Sequence, residues 1–355
     1  MKYKDKKVFS EKIIDWYLSI ERRSLPWNQD KSIYKVWVSE IMLQRTRASS
    51  VIPYFNRFIR RFPDVQSIAD SSVDEVLYYW SGLGYYARAR NMYKTAKEIV
   101  RRFNGTFPTN FKQINTFPGI GRSTAGAILS ISKDLPFPVL DSNVKRVLIR
   151  FLGLQDVPTR ESEDKLWCTV SNLVPKTNSG KFNQAMMELG SEICLPLKKP
   201  ICNRCPLVDE CISSYSNNSS KKLSPSLSKK NKFKNRNIWF LILRRMNFFF
   251  LKRVSYGRLW KGLYIFPKFS SIDLLKQFLT EKKLYDSVNE IIELNAISHC
   301  FSNVRLKIFP IQLDIKNLEG FSNFMEDDEI WYDGSHQKIG IPKPVHLLMR
   351  QIGHF

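Results

Sequence analysis

Apolar side chains in the first two thirds of the chain recur every three or four residues, the spacing of amphipathic helices. This spacing predicts helices at residues 8–20, 34–47, 50–62, 73–80 and 91–103 and two more between 164 and 193, with Leu25, Pro26 and Trp27 in a loop. The apolar stripe expected on the first helix consists of Val8, Ile13, Ile14, Tyr17 and Leu18. The N-terminal region is therefore predicted to be mostly α-helical.

The pattern changes beyond residue 212. Residues 213–236 have almost no apolar content and are rich in Ser, Asn and Lys, which is typical of a flexible linker. Short apolar runs and an alternating segment at 304–313 then predict strands, while 272–279 and 345–352 have helical spacing. We expect an α-helical region at 1–212, the linker at 213–236 and an α+β domain at 237–355.

Two glycines, Gly119 and Gly121, stand on either side of Ile120, where one helical pattern ends and another begins. Glycine permits a tight turn and leaves backbone N–H groups uncovered at the start of a helix, an arrangement that binds phosphate. An ordinary connection between two helices explains this short motif, taken alone, equally well.

Two carboxylates are candidates for acid–base chemistry. Glu40 lies among apolar residues of its helix, four positions before Gln44 and on the same face. A carboxyl group held against apolar side chains has a raised pKa and suits a general acid; a solvated Glu on an amphipathic helix is the alternative. Asp141 begins the next apolar-periodic run, where the helix dipole favours its charged form; a plain N-cap is the alternative.

The composition favours a nucleic-acid partner. Lys and Arg number 56 against 33 Asp and Glu, which gives a formal net charge of +23 and attracts polyanions, unless it reflects only a general enrichment in lysine. Tyr85 and Arg88 lie in a glycine-rich segment, where they suit stacking on bases and contacting phosphates. All four histidines lie beyond residue 298, so chemistry in the first two thirds is expected to depend on carboxylates and cysteines.

The sequence gives little sign of secretion or membrane insertion. The basic N-terminus leads into an amphipathic segment with Glu11, Lys12 and Asp15, so no signal peptide is predicted. The apolar stretch at 239–251 is interrupted by Arg244 and Arg245 and is too short to span a bilayer. We expect a cytoplasmic protein that acts as a monomer.

Four of the six cysteines, Cys194, Cys202, Cys205 and Cys211, fall within 18 residues. A disulfide is not expected in a reducing compartment, so the cluster indicates a metal. Structural zinc usually draws on two C-x2-C pairs, and only Cys202 and Cys205 form such a pair. The spacing is also wider than the compact ferredoxin run. Taken with the neighbouring motifs, a 4Fe-4S cluster is the interpretation that fits best.

Several of these stretches together resemble a known family. They are WVSEIMLQRT, VIPYF, GLGYYARAR, GRSTAGAILS, FNQAMMELG and the cysteine cluster, followed beyond the linker by GRLWKGLYIFPKF, HCFSN and PKPVHLLMRQI. The chain resembles adenine DNA glycosylases of the MutY type, in the helix-hairpin-helix, Gly/Pro-Asp superfamily. The resemblance covers nearly the whole chain and implies a helix-hairpin-helix glycosylase fold with a 4Fe-4S cluster loop, plus a Nudix-like α+β C-terminal domain.

The resemblance implies a reaction and assigns roles. Such enzymes remove adenine mispaired with 8-oxoguanine (8-oxoG) or guanine in double-stranded DNA, after the base has left the helix. Glu40 would protonate adenine N7, Asp141 would stabilise the sugar oxocarbenium ion, and Asn143 would support Asp141. Further substrate or DNA contacts are implied at Trp27, Gln44, Arg45, Thr46, Tyr85, Arg88, Gly119, Gly121, Ser123, Glu188, Phe301 and Ser302. Of these, Tyr85 would wedge into the stack beside the oxidised guanine, and Trp27 and Glu188 would surround the flipped adenine.

The chain departs from the family pattern at four places. Arg45 replaces a Gln, Ser142 replaces a Gly, Asn303 replaces a His, and the first cysteine gap, at 195–201, has seven residues instead of six. We expect tighter but less discriminating DNA binding from Arg45 and Asn303. The C-terminal domain also lacks a Glu-rich Nudix box, so no nucleotide hydrolysis is expected there.

Two other functions remain open at this stage. An endonuclease III-type glycosylase and lyase would need a Schiff-base Lys where this chain has Ser123, although Lys145 could trap a sugar aldehyde incidentally. The second alternative function is that of a degenerate protein that binds mispairs without excising a base. The presence of Glu40 and Asp141 argues against this function, and Arg45 and Asn303 argue weakly for it.

Overall fold

A computed structural model describes residues 6–20, 25–154, 159–196, 200–214, 234–257, 259–282, 284, 288–301, 304–315, 328–334 and 336–353. Contacts divide the chain into two compact units. The first comprises Met1–Ala69 and Lys94–Lys230, and the second comprises Asp70–Tyr93 and Asn231–Phe355. In the part of the chain described, no helix is long and apolar enough to cross a membrane.

The first unit is helical. Its helices are α1 (Lys6–Ser19), α2 (Pro26–Gln29), α3 (Ile33–Leu43), α4 (Ala48–Arg61), α5 (Val65–Asp70), α8 (Phe111–Ile114), α9 (Arg122–Lys133), α10 (Ser142–Phe151), α11 (Arg160–Leu173) and α12 (Ser179–Glu188), with a π-helical turn at Leu189–Ile193 and a 3-10 turn at Cys202–Arg204. Helix α6 (Val73–Trp80) belongs to the second unit, and α7 (Ala87–Phe103) runs from the second unit into the first.

Fully buried side chains hold these helices together. Ile13 of α1, Leu148 of α10, Val170 of α11 and Phe182 of α12 meet in a single cluster. Burying an aliphatic or aromatic side chain of this size stabilises the fold by roughly 1.5–3 kcal/mol. A smaller cluster that includes Val36 joins α3 to α9. The two carboxylate-bearing segments, α3 and the start of α10, are therefore anchored in rigid helical packing.

The second unit contains an eight-stranded sheet. Its strands are β1 (Lys234–Arg245), β2 (Phe248–Arg253), β3 (Tyr264–Ile265), β4 (Lys268–Phe269), β5 (Val288–Glu293), β6 (Ile297–Phe301), β7 (Val304–Ile315) and β8 (Glu329–Tyr332). The main path is β3-β2-β1-β7-β5, while β4 pairs with β1, β6 with β7 and β8 with β2. Strands β1 and β7 run parallel, from Lys234 opposite Val304 to Arg244 opposite Asp314.

In the C-terminal part of the second unit, the described helices are α13 (Ile272–Glu281) and α14 (Lys343–Gln351). Leu275 and Leu279 of α13 pack against Leu241 and Leu313 in the apolar core of this unit. The predicted combination of a helical N-terminal region and an α+β C-terminal domain is confirmed.

Some local predictions were wrong. Helix α3 ends at Leu43 rather than at residue 47, because Gln44 leaves the helical conformation and Arg45 adopts a left-handed one with φ of 61°. Pro26 and Trp27 lie in a short helix instead of a loop. On α1, Val8 and Leu18 are 41% and 59% exposed, since α1 buries Phe9, Ile13 and Tyr17, four residues apart on one face.

The grouping of residues 70–93 with the C-terminal sheet was not anticipated from the sequence. The predicted boundaries at 212 and 237 follow changes in composition, whereas this segment joins the sheet through packing and ion pairs. The division of the chain at residues 212 and 237 remains our proposal for its organisation along the sequence.

Candidate active site

Glu40 lies on the last turns of α3, and the preceding residues explain the start of this helix. Ser32 accepts a hydrogen bond from the Lys35 backbone N–H and thereby caps the helix N-terminus. Trp37 and Met42 are fully buried and fix the orientation of α3. Burial and, to a smaller extent, the charge of Asp141 together raise the pKa of Glu40 to about 7. Glu40 therefore exchanges a proton near neutral pH.

Asp141 is the N-cap of α10. Its Oδ1 accepts hydrogen bonds from the backbone N–H groups of Asn143 (3.0 Å) and Val144 (2.8 Å), and its Oδ2 accepts one from Asn143 Nδ2 (3.1 Å). Burial raises the pKa of Asp141, while these donors and the Arg146 charge act in the opposite direction. From the sequence we predicted only that the helix N-terminus favours the charged form of Asp141. Its burial could not be predicted, because it depends on tertiary packing.

Both carboxylates line a cavity of about 640 Å³. This volume lies within the range of small-ligand pockets and accommodates a nucleobase with its sugar. Nine residues predicted from the sequence line it, namely Trp27, Glu40, Gln44, Arg45, Thr46, Ser123, Asp141, Asn143 and Glu188. Segments far apart in sequence thus form one chamber, whose described lining includes Glu40 and Asp141 together with Glu188 and Glu192.

The other predicted contacts lie elsewhere. Gly119, Gly121, Tyr85 and Arg88 are absent from the lining of this cavity. Phe301 ends strand β6, and nothing is described of its side chain. Ser302, like Asn303, lies outside the described residues.

Several lining residues were missed by the sequence reasoning. They include Tyr17, Asn28, Thr124, Gln184, Met187 and Glu192. Gln184 Nε2 donates to Asn28 Oδ1 at 3.1 Å, and Gln44 Nε2 donates to Thr124 Oγ1 at 3.3 Å. The spacing of Gln184 and Glu188, four residues apart on one helix face, was the one available signal.

Arg146 connects the carboxylate site to the cysteine loop. Its Nη2 donates to Asn143 Oδ1 at 2.9 Å and to the Gly190 carbonyl at 2.5 Å, and its Nε donates to the Cys194 carbonyl at 2.7 Å. This contact requires glycine at position 190, where a Cβ would stand 2.5 Å from Asn143 Cβ. Arg146 therefore orients Asn143, the residue that hydrogen-bonds Asp141.

The glycine hairpin presents an open helix N-terminus. Gly119 has a φ of 81°, and the Ile120 N–H donates to the Phe117 carbonyl at 3.1 Å to close the turn. Thr95 Oγ1 donates to the Pro118 carbonyl at 3.0 Å and anchors the hairpin to α7. Gly121 is the N-cap of α9 and supplies no side chain, so the first backbone N–H groups of this helix have no side-chain cap.

The turn between α6 and α7 carries Tyr85. Tyr85 is 42% exposed and has a φ of 49°, an uncommon conformation for a bulky residue. Arg88 is only 8% exposed: its guanidinium lies 5.4 Å from the rings of both Trp80 and Tyr85 and donates to the Gly84 carbonyl at 3.0 Å. This burial and the hydrogen bond to Gly84 indicate that Arg88 holds the Tyr85 turn in place. They do not favour the predicted contact of Arg88 with phosphate.

The four clustered cysteines lie beside the helical core. Cys194, Cys205 and Cys211 pack against it, and Arg150 Nη1 donates to Cys194 Sγ at 3.2 Å. Burial raises the pKa of Cys205 to about 12, and the charges of the other three cysteines contribute in the same direction. Among the described residues, no three His, Cys, Asp or Glu side chains are arranged to hold a single metal ion.

The comparisons with known proteins decide the family. Residues 38–171 match the model of the HhH-GPD superfamily base excision DNA repair protein. An adenine DNA glycosylase from Buchnera aphidicola subsp. Schizaphis graminum is 43% identical over 348 residues, covering 96% of this chain and 98% of that protein. The chain belongs to the adenine DNA glycosylase family.

More distant relatives of this adenine DNA glycosylase agree with the assignment. The Homo sapiens adenine DNA glycosylase is 38% identical over 214 residues, which cover 57% of this chain and 39% of the human protein. The structure of a thermostable thymine-DNA glycosylase has a TM-score of 0.55 and 26% identity, and covers 59% of this chain and 96% of that one. An endonuclease III–DNA complex has a TM-score of 0.50 at 18% identity, covers 60% and 96%, and supports the fold alone.

In this adenine DNA glycosylase, the position expected to hold a lyase lysine is Ser123. Ser123 Oγ accepts a hydrogen bond from the Leu140 N–H at 3.2 Å and lines the cavity. Lys145, the other candidate amine, forms an ion pair of 2.6 Å with Glu163. Serine has no amine, and Lys145 is not in the cavity wall, so among the described lining residues no lysine is placed for Schiff-base chemistry.

Proposed function

We propose that this glycosylase removes adenine mispaired with 8-oxoG or guanine in double-stranded DNA by acid-assisted hydrolysis of the N-glycosidic bond. The observation that carries the proposal is the pairing of Glu40, with a pKa of about 7, and Asp141 in one base-sized cavity. Two carboxylates whose environments differ can divide the roles of acid and anion.

Glu40 supplies the proton. At neutral pH roughly half of the Glu40 carboxyls are protonated, because the pKa of about 7 equals the pH. Transfer of that proton to N7 of a flipped adenine would make the base a neutral leaving group. The electron pair of the C1′–N9 bond then departs with the base, and the sugar becomes an oxocarbenium ion.

Asp141 stabilises that cation. Two backbone donors, the Asn143 side chain and the nearby Arg146 favour the charged carboxylate and hold it in a fixed orientation. A preorganised anion of this kind acts without reorganisation when charge develops. Water then adds to C1′ and loses a proton, which restores the acid and leaves an abasic site.

DNA is bound outside the cavity by separate elements. We propose that the open N-terminus of α9 at Gly121 holds a backbone phosphate and that Tyr85 enters the base stack beside the mispair. The net charge of +23 supplies attraction that does not depend on sequence.

The donor set of the cysteine loop fits a 4Fe-4S cluster. The four thiols lie in one partly buried region, and Arg146 and Arg150 both reach Cys194 there. We propose Cys194, Cys202, Cys205 and Cys211 as its ligands. When bound, the cluster would supply rigid cross-links among the loops beside α10.

The test is adenine release from duplexes that differ at one position. Single-turnover rates are measured with A:8-oxoG, A:G and A:T pairs, with released adenine quantified. The proposal predicts release from both mispairs and little from A:T. Equal rates on all three duplexes, or strand cleavage without added alkali, would contradict it.

A further inference from the structure

Helix α6 packs against the C-terminal domain through a glycine contact. A Cβ placed at Gly340 would stand 2.6 Å from Leu77 Cβ and 2.8 Å from Leu263 Cδ2, closer than real Cβ contacts occur. Gly262 meets the same helix, with its virtual Cβ 3.8 Å from Leu77 Cδ1. Only a residue without a side chain lets the segment at 340 approach α6 this closely.

Three polar contacts surround this apolar one. Arg253 Nη2 bonds Asp74 Oδ2 at 2.6 Å, and Lys338 Nζ bonds Glu75 Oε1 at 3.0 Å. Both acidic residues lie in the first turn of α6, where the helix dipole also stabilises them. On the following helix, α7, Arg90 Nη1 donates to the Lys261 carbonyl at 2.5 Å.

The end of α6 controls the turn that carries Tyr85. Trp80 is fully buried, and its Nε1 donates to the Gly84 carbonyl at 3.2 Å. Arg88 donates to the same carbonyl and places its guanidinium against the rings of Trp80 and Tyr85. The carbonyl that precedes Tyr85 is therefore held by two side chains. One of them, Trp80, ends the helix whose Asp74, Glu75 and Leu77 meet the C-terminal domain.

We propose that the C-terminal domain positions Tyr85 by docking on α6, with Gly340, Asp74, Glu75, Arg253 and Lys338 as positioning residues. This inference rests on the proposed function, in which Tyr85 lies beside the 8-oxoG or guanine. Glu40 and Asp141 belong to the first unit and are not part of the docking contact. Weakened docking therefore lowers the preference for A:8-oxoG over A:G more than it lowers the rate of base release.

The Glu75–Lys338 pair allows a reversible test in the full-length protein. Glu75→Lys and Lys338→Glu each place like charges together, and the double variant restores an opposite pair. For each duplex, the single-turnover rate constant is divided by Kd. The preference is the value for A:8-oxoG divided by the value for A:G. Each single variant is expected to lower this ratio roughly three- to tenfold, and the double variant to return it to within about twofold of wild type.

A matched control lies on α11, where Glu161 and Lys165 form an exposed pair at 2.8 Å. Glu161→Lys is expected to leave the ratio unchanged. Gly340→Ala gives a second, steric probe, with a larger fall in the ratio and an unchanged maximal rate of adenine release from A:G.

The outcomes separate the two proposals. Single reversals that keep the wild-type ratio, or losses that the double variant does not restore, overturn the docking inference. If Gly340→Ala does not fold, the charge-reversal series decides alone. A wild-type protein that releases no adenine from either duplex contradicts the proposed function instead.

Discussion

At the scale of single residues, the environment of Glu40 determines its chemistry. A solvated Glu is almost fully ionised at pH 7 and is a poor proton donor. Burial and the charge of Asp141 raise the pKa of Glu40 to about 7. Burial also raises the pKa of Asp141, but its hydrogen-bond donors oppose that rise and favour the anion. In the proposed mechanism, the same side-chain chemistry gives an acid and an anion that line one cavity.

The rate of adenine release should follow the protonation of Glu40. Above about pH 7 the single-turnover rate is expected to fall towards tenfold per pH unit, because the acid form is progressively lost. At low pH it is expected to fall again as Asp141 takes up a proton, at a pH above its ordinary pKa of 3.8. A rate that stays constant from pH 6 to pH 9, at saturating enzyme, would exclude Glu40 as the acid.

Glu40 should also make the protein less stable in base. The pKa of Glu40 is raised in the folded state from 4.5 to about 7, so stability present below pH 4.5 is lost as the pH rises through 7. The full loss is about 3 kcal/mol. Glu40→Gln does not titrate, so its thermal unfolding temperature should exceed that of wild type at pH 8 and approach it near pH 4.5. Equal unfolding temperatures at pH 8 would show that the carboxylate is well solvated.

At the scale of elements, helix N-termini supply the polar groups of the site. Helix α10 begins at Asp141 and uses its first backbone N–H groups to hold that carboxylate. Helix α9 begins at Gly121, and its first-turn N–H groups have no side-chain cap. One helix start is therefore capped by the Asp141 side chain, and the other has no side-chain cap, which is why we propose it as the phosphate site.

Gly121→Ser should affect stability and DNA binding in opposite directions. The backbone at Gly121 is extended, with φ of −87°, and a Cβ there meets nothing within 4 Å. A serine hydroxyl would accept a hydrogen bond from the first turn of α9 and would stabilise the helix by a few tenths of a kcal/mol. The same hydroxyl would cover the N–H groups offered to phosphate. The expected result is an unchanged or higher unfolding temperature with weaker duplex binding; undiminished affinity at low salt would count against the phosphate site.

At the scale of the whole molecule, the cysteine loop is joined to helix α10, which begins at Asp141. Arg146 and Arg150 of α10 both reach Cys194, the first through the carbonyl and the second through Sγ. A metal cluster at these thiols would therefore support the side of the site that holds Asn143. The charge of +23 acts over the entire surface and favours encounter with DNA.

Loss of a cysteine ligand should change the colour and the iron content of the purified protein. The purified full-length protein is expected to be brown and to contain iron, and Cys205→Ser is expected to lose colour, iron and DNA affinity together. Cys168→Ser provides the control, since Cys168 is an exposed thiol outside the cluster. Full iron content in the Cys205→Ser protein would remove Cys205 from the ligand set.

Much of this architecture could be predicted from the chain, since helical spacing and the Gly119–Gly121 break depend on local sequence. Glu40 could be predicted as a candidate because a charged residue stood in an apolar run, and the structure places it in the cavity wall. Arg146 was missed, because a basic residue on an amphipathic helix resembles any solvated one until its partners from distant segments are known. The attachment of residues 70–93 to the C-terminal sheet was missed for the same reason: Gly340 carries no sequence signal for a contact 263 positions away at Leu77.

The most direct test of the account is excision by Glu40→Gln. The amide keeps the shape of the side chain but cannot donate the proton, so single-turnover adenine release from A:8-oxoG duplex should fall by roughly 10²–10⁴-fold while duplex affinity is nearly unchanged. Glu161→Gln, which alters an exposed carboxylate on α11, should release adenine at the wild-type rate. Adenine release by Glu40→Gln within a few-fold of wild type would contradict the central claim that Glu40 is the general acid.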